Sequence, residues 1–103
     1  MFTEQEKQFL KQEIAGCLKA EAEVRRIIIF GSFLTSDDPH DLDVAVFQDS
    51  DENYLPLALK YRKKTRDIAR RIALDIIPLK SGVEGGLFMD EIRRGEVIYE
   101  RRD

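Results

Sequence analysis

The run VRRIIIF, residues 24–30, most constrains how this chain can fold. It is continuous, rich in β-branched side chains and apolar over its last four residues, which predicts a buried strand. Gly31 and Ser32 interrupt it, so a short turn or helix is expected over residues 32–36, followed by a loop. The next apolar run, DLDVAVF, predicts a second strand over residues 41–47. The chain is therefore expected to build a sheet around these two runs.

Helical patterns surround the two strands. Thr3 and Glu6 have the spacing of a capping box, and apolar residues recur behind them at helical intervals, which predicts a helix over about residues 4–20. The later elements are expected to be a long helix at 52–71, a strand at 73–79, a short helix marked by Leu87, Phe88 and Ile92 that stops at Gly95, and an edge strand at 97–100. This order predicts an α/β (α+β) fold in which helices pack on a mixed sheet of three to four strands.

Composition limits the classes of protein that fit. A chain of 103 residues is expected to form a single domain, residues 1–103, and its 43% hydrophobic and 36% charged content is typical of a soluble globular protein. The net charge of −3 argues against a dedicated nucleic-acid binder, so no direct nucleic-acid contact is expected. The single cysteine, Cys17, permits no internal disulfide and suits a core position. No segment resembles a signal peptide or a membrane span, so a cytoplasmic location is expected.

Charge is unevenly distributed along the chain. Residues 37–52 contain seven acidic side chains and no Lys or Arg, whereas residues 60–71 contain seven basic side chains and one acidic one. The acidic cluster suits cations, and the basic segment suits phosphate or an acidic partner. Each segment is equally compatible with an ordinary solvated surface.

Three carboxylates stand in predicted strands. Asp41 and Asp43 alternate with apolar residues and so share one face of their strand, and Asp75 lies in the next strand along the chain. Like charges on one face repel unless a cation lies among them, and Mg²⁺ prefers oxygen ligands. Two such ions can bind the attacking and leaving oxygens of a phosphoryl transfer. The pattern therefore predicts a metal site made by these three residues.

Gly31 and Ser32 provide the groups that a phosphate would need. A glycine after a strand lets backbone N–H groups approach an anion closely, and the serine hydroxyl can donate a further hydrogen bond. Simpler interpretations stay open for several residues. Ser32 also suits a helix cap, Asp41 a turn, His40 an exposed loop, and Asp75 an ion pair with Arg70 or Arg71.

The segment FGSFLTSDDPHDLDVAVF, residues 30–47, resembles the signature of the DNA polymerase β-like nucleotidyltransferases. It is most similar to the minimal nucleotidyltransferase (MNT) branch, usually encoded beside HEPN-domain proteins, and the resemblance extends over nearly the whole chain. It implies the nucleotidyltransferase fold, with nucleotide phosphates on Gly31 and Ser32. It also implies that Asp41 and Asp43 hold two Mg²⁺ ions, while Asp75 holds the catalytic ion and helps activate the acceptor hydroxyl.

The resemblance further implies a function and a partner. Members of this branch transfer a nucleoside monophosphate, here expected to be AMP from ATP, to a hydroxyl on a HEPN toxin, and so act as antitoxins; an oligomer with that partner is possible. The alternative is an antitoxin that neutralises the toxin by binding alone. The chain departs from the family at residues 34–36, where Leu-Thr-Ser replaces the usual Arg-Gly and removes a cation expected near the triphosphate.

Overall fold

The structure, a computed structural model, describes residues 2–83 and 85–102. Its strands are β1 (Val24–Phe30), β2 (Asp41–Gln48), β3 (Ala73–Lys80) and β4 (Glu96–Glu100). Its helices are α1 (Glu4–Leu18), α2 (Ser32–Thr35), α3 (Tyr54–Lys64), α4 (Arg66–Ala69) and α5 (Leu87–Arg93). Within the described ranges, no helix is long and apolar enough to cross a membrane.

The four strands form one mixed sheet in the order β3-β2-β1-β4. β1 pairs antiparallel with both β2 and β4, whereas β2 and β3 run parallel. A parallel pair needs a crossover connection, and α3 with α4 provides it. The mixed sheet expected from the order of elements is therefore confirmed, and β4 lies at one of its edges, opposite β3.

The two faces of the sheet are covered unequally. Leu42, Val44 and Val46 of β2 join a large core with residues of α1, α3 and α4. On the opposite face, Ala45 and Phe47 join a small cluster to which only α5 contributes among the helices of the described residues. Side chains alternate along β2, so Asp41 and Asp43 belong to the face that α5 covers. This face therefore holds the candidate site.

The predicted helix over residues 52–71 is wrong as one element. The structure instead has two helices, α3 beginning at Tyr54 and α4 beginning at Arg66, and Thr65 separates them. The backbone of Thr65 leaves the helical region (φ −110°, ψ 18°), and its hydroxyl donates to the carbonyl of Tyr61 at 2.9 Å. Such hydroxyl-to-backbone bonds bend helices. Residues at helical spacing along this segment are nevertheless buried: Ala58, Tyr61, Thr65, Ile68 and Ile72.

The first and last helices end close to the predicted positions. The Thr3–Glu6 capping box is present, and α1 ends at Leu18, two residues earlier than expected. After α5, the amide of Gly95 donates to the carbonyl of Ile92 at 2.9 Å. A Cβ at Gly95 would lie 2.4 Å from the carbonyl oxygen of Ile29. Only glycine therefore fits where α5 turns into β4 against the sheet.

Candidate active site

The three strand carboxylates meet at one end of the sheet. In the parallel register of β2 and β3, Asp43 pairs with Asp75, and Asp41 pairs with Ala73. Residues in register on neighbouring strands point to the same face, about 4.8 Å apart. The three carboxylates, with Ala73 and Leu74, line a shallow cleft of about 310 Å³. The structure thus places together the residues that the sequence predicts for a metal site.

The electrostatics of this cleft disfavour the ionised form of Asp43. Burial, followed by the charges of Asp75, Asp41 and Glu91, raises the pKa of Asp43 above its ordinary value. Within the described residues, no Lys or Arg makes a salt bridge with Asp41, Asp43 or Asp75. The carboxylates repel one another, and a cation from solution would relieve that repulsion.

The carboxylates of the cleft are the donor type that suits Mg²⁺, but their oxygens are not arranged as a coordination site. Across residues 2–83 and 85–102, no three His, Cys, Asp or Glu side chains converge as metal ligands do. The carboxylate oxygens are the ligand type that Mg²⁺ prefers. Asp43 and Asp75 lie in register on adjacent strands, so they are the pair that would share one ion.

Gly31 lies directly against Asp43. Its backbone (φ 83°, ψ −158°) occupies a region that is essentially restricted to glycine. A Cβ at Gly31 would lie 2.8 Å from Oδ2 of Asp43. The predicted phosphate-binding position and the predicted metal ligand are therefore neighbours.

Ser32 is the exposed first residue of α2, and its side chain makes no helix cap, since Gly31 is the N-cap. The interpretation of Ser32 as a helix cap is therefore wrong. α2 is a single turn of four residues. Any contribution from this segment to anion binding would therefore come from individual N–H groups and the hydroxyl rather than from a helix macrodipole.

The basic segment lies elsewhere and is used within the fold. Lys60 and Lys64 form ion pairs with Glu21 and Glu23 beside the large core. At the end of the segment, Arg70 pairs with Asp67, and Arg71 pairs with Glu13. The alternative in which Asp75 pairs with Arg70 or Arg71 is therefore not observed. Among the other candidates, His40 is exposed in its loop, as expected, and Cys17 packs at the margin of the core.

The sequence did not indicate that α5 covers the sheet face that carries the carboxylates. The ring of Phe88 in α5 meets the ring of Phe30 edge-on, with centroids 5.9 Å apart and planes at 87°. Phe30 pairs in register with Asp43, and Glu91 of α5 is close enough to raise the pKa of Asp43. The apolar residues of the segment indicated that a helix forms, but nothing local in the sequence indicated which sheet face it would cover.

The chain is similar to a known protein family and to solved structures. The family model "Polymerase beta, Nucleotidyltransferase" matches residues 12–103. A rebuilt and re-refined structure of a tri-AMPylated Shewanella oneidensis HEPN toxin in complex with MNT antitoxin is similar, with a TM-score of 0.62 and 18% identity over 92% of this chain and 73% of that chain. The crystal structure of the toxin-antitoxin MntA-HepT is also similar, with a TM-score of 0.59 and 14% identity over 91% and 73% of the two chains. No curated protein matches the chain. At these identities, the two structural likenesses show a shared fold.

Proposed function

The chain belongs to the polymerase beta nucleotidyltransferase family, and on that premise we propose that it transfers AMP from ATP to a hydroxyl of a HEPN-type partner and acts as an antitoxin. The observation that carries the proposal is the assembly of Asp43, Asp75 and Gly31 at one cleft. A carboxylate cluster directly beside a glycine-bounded phosphate position suits metal-dependent phosphoryl transfer better than it suits a structural role.

The resemblance to the family assigns each of these residues a role. Asp41 and Asp43 would hold both Mg²⁺ ions, and Asp75 would hold one of them beside the acceptor hydroxyl. When bound, the ions would stabilise charge on the α-phosphate and on the departing oxygen. The N–H groups and hydroxyl at Gly31 and Ser32 would bind the triphosphate.

The transfer itself forms one bond and breaks one. The acceptor oxygen bonds to the α-phosphorus, and the bond from that phosphorus to the oxygen bridging the α- and β-phosphates breaks, so pyrophosphate leaves. Asp75 orients the acceptor hydroxyl and receives its proton, which then passes to solvent. No other covalent change is required of the chain.

The partner is inferred from the similar structures. Both are complexes of a toxin with its antitoxin, and the HEPN toxin of the first complex is tri-AMPylated. This supports, for the present chain, a helical HEPN protein as the acceptor of AMP. A cytoplasmic location would place the reaction where ATP and Mg²⁺ are abundant.

A second function is favoured by one specific feature. Residues 34–36 are Leu-Thr-Ser, and the residues that line the carboxylate cleft include no Lys or Arg. A triphosphate would therefore receive little positive charge from this part of the chain. An antitoxin that neutralises its toxin by contact alone, without transfer, fits that deficit.

One experiment separates the two functions. The protein is mixed with the HEPN protein encoded beside it, Mg²⁺ and ATP labelled at the α-phosphate, and label on the partner is measured together with toxin activity. Transfer predicts label that disappears with Asp43→Asn but persists with Asp51→Asn, a matched control at an exposed acid remote from the cleft. Absence of label, with neutralisation unchanged by Asp43→Asn, would establish the binding function instead.

A further inference from the structure

An aromatic side chain stands exposed on the sheet face that carries the carboxylates. Phe88 is 47% exposed, whereas Met89 and Ile92 on the same helix are 6% and 0% exposed. The two buried residues attach α5 to the sheet, so the fold does not need the ring of Phe88 for its core. A single exposed apolar side chain is ordinary on a protein surface, so the interest of Phe88 lies in its position rather than in its exposure.

Phe30 links Phe88 to the carboxylates. The ring of Phe88 meets that of Phe30 edge-on, and Phe30 pairs with Asp43 on the neighbouring strand and is followed directly by Gly31. One turn further along α5, the charge of Glu91 contributes to raising the pKa of Asp43. Phe88 therefore lies on the sheet face that carries the carboxylates, next to the strand end that leads into Gly31. The edge-on contact occupies at most one face of the Phe88 ring.

We propose that Phe88 is the platform on which the base of the bound nucleotide stacks. This rests on the proposed function, because it assumes that the triphosphate lies at Gly31 and Ser32. Every nucleobase has a π-face, and stacking on an aromatic side chain is tolerant of base identity. The site is therefore expected to bind ATP and GTP alike and to bind the smaller pyrimidine nucleotides more weakly.

The chain contains no tryptophan, so Phe88→Trp places a single fluorescent reporter at the platform. The two probes are Mg²⁺ with ATP and Mg²⁺ with inorganic tripolyphosphate, which has the phosphates but no base. Stacking predicts that ATP and GTP quench the tryptophan fluorescence, whereas tripolyphosphate binds without quenching it. Equal quenching by tripolyphosphate would contradict base stacking.

Affinity measurements by calorimetry complete the test. Phe88→Ala is expected to weaken ATP binding about 5- to 100-fold and to leave tripolyphosphate binding unchanged. The matched control is Phe9→Ala, which removes a somewhat more exposed ring from α1 (58%) and should change neither affinity. Since Phe88 is exposed, thermal melts of the variant are expected to stay close to those of the wild type.

The possible failures are distinguishable. If the wild type binds both probes and Phe88→Ala retains full ATP affinity, the platform is refuted while the proposed function stands. The same result with weaker binding to the HEPN partner would assign Phe88 to protein docking instead. If the wild type binds neither ATP nor tripolyphosphate, the proposed function fails and the platform fails with it.

Discussion

Replacement of Gly31 by alanine tests the geometry of the site through stability alone. Gly31 has φ 83° and ψ −158°, a conformation that costs a residue with a side chain about 1–3 kcal/mol. The new Cβ would also lie 2.8 Å from Oδ2 of Asp43, but that carboxylate can rotate away. The backbone term therefore dominates. For a domain of this size it lowers the melting temperature by about 4–20 °C.

The assay is thermal unfolding followed by circular dichroism, with two comparison variants. Gly16→Ala lies in α1 with no atom within 4 Å of the new Cβ, so it should raise stability by about 0.5–1 kcal/mol. Gly31→Ala combined with Asp43→Ala removes the contact but keeps the backbone cost, so most of the loss should persist. A melting temperature for Gly31→Ala within about 1 °C of the wild type would refute the conformation assigned to Gly31.

Three further changes test other parts of the account. Burial and the charge of Asp75 raise the pKa of Asp43, so the ionised carboxylate destabilises the folded protein. In EDTA near neutral pH, Asp43→Asn should therefore have a higher melting temperature than the wild type. The difference in melting temperature should disappear as the pH falls toward about 4, the ordinary pKa of aspartate. Gly95→Ala would place a Cβ 2.4 Å from the Ile29 carbonyl oxygen, and urea unfolding should show a loss of about 1–3 kcal/mol or more. Thr3→Ala removes the N-cap of α1 and should cost about 1 kcal/mol in the same assay, whereas an unchanged midpoint would mean that the cap contributes nothing.

Local patterns in the sequence predicted the strands well. β1 has the expected bounds because its β-branched run ends at Gly31, a residue that breaks the strand. The alternation along β2 correctly placed Asp41 and Asp43 on one face. The break of the long helix at Thr65 was not predicted, since it depends on a hydroxyl bond to Tyr61 that propensity does not reveal.

Long-range features of the site could not be read from the sequence. The register that sets Asp75 beside Asp43 joins two strands separated by α3 and α4, and no local pattern fixes such a pairing. The close approach of Gly95 to the carbonyl of Ile29, directly after α5, is likewise a long-range contact that no local pattern predicts. Phe88 is exposed although it belongs to the apolar residues that mark the helix.

The most direct test of the central proposal is the mass of the HEPN partner after incubation with the protein, ATP and Mg²⁺. The partner should gain whole AMP units with the wild type and none with Asp75→Asn, while Asp51→Asn should behave as the wild type does. Intact-mass spectrometry distinguishes AMP from phosphate directly. AMP addition that continues undiminished with Asp75→Asn would contradict the role assigned to the carboxylate cleft.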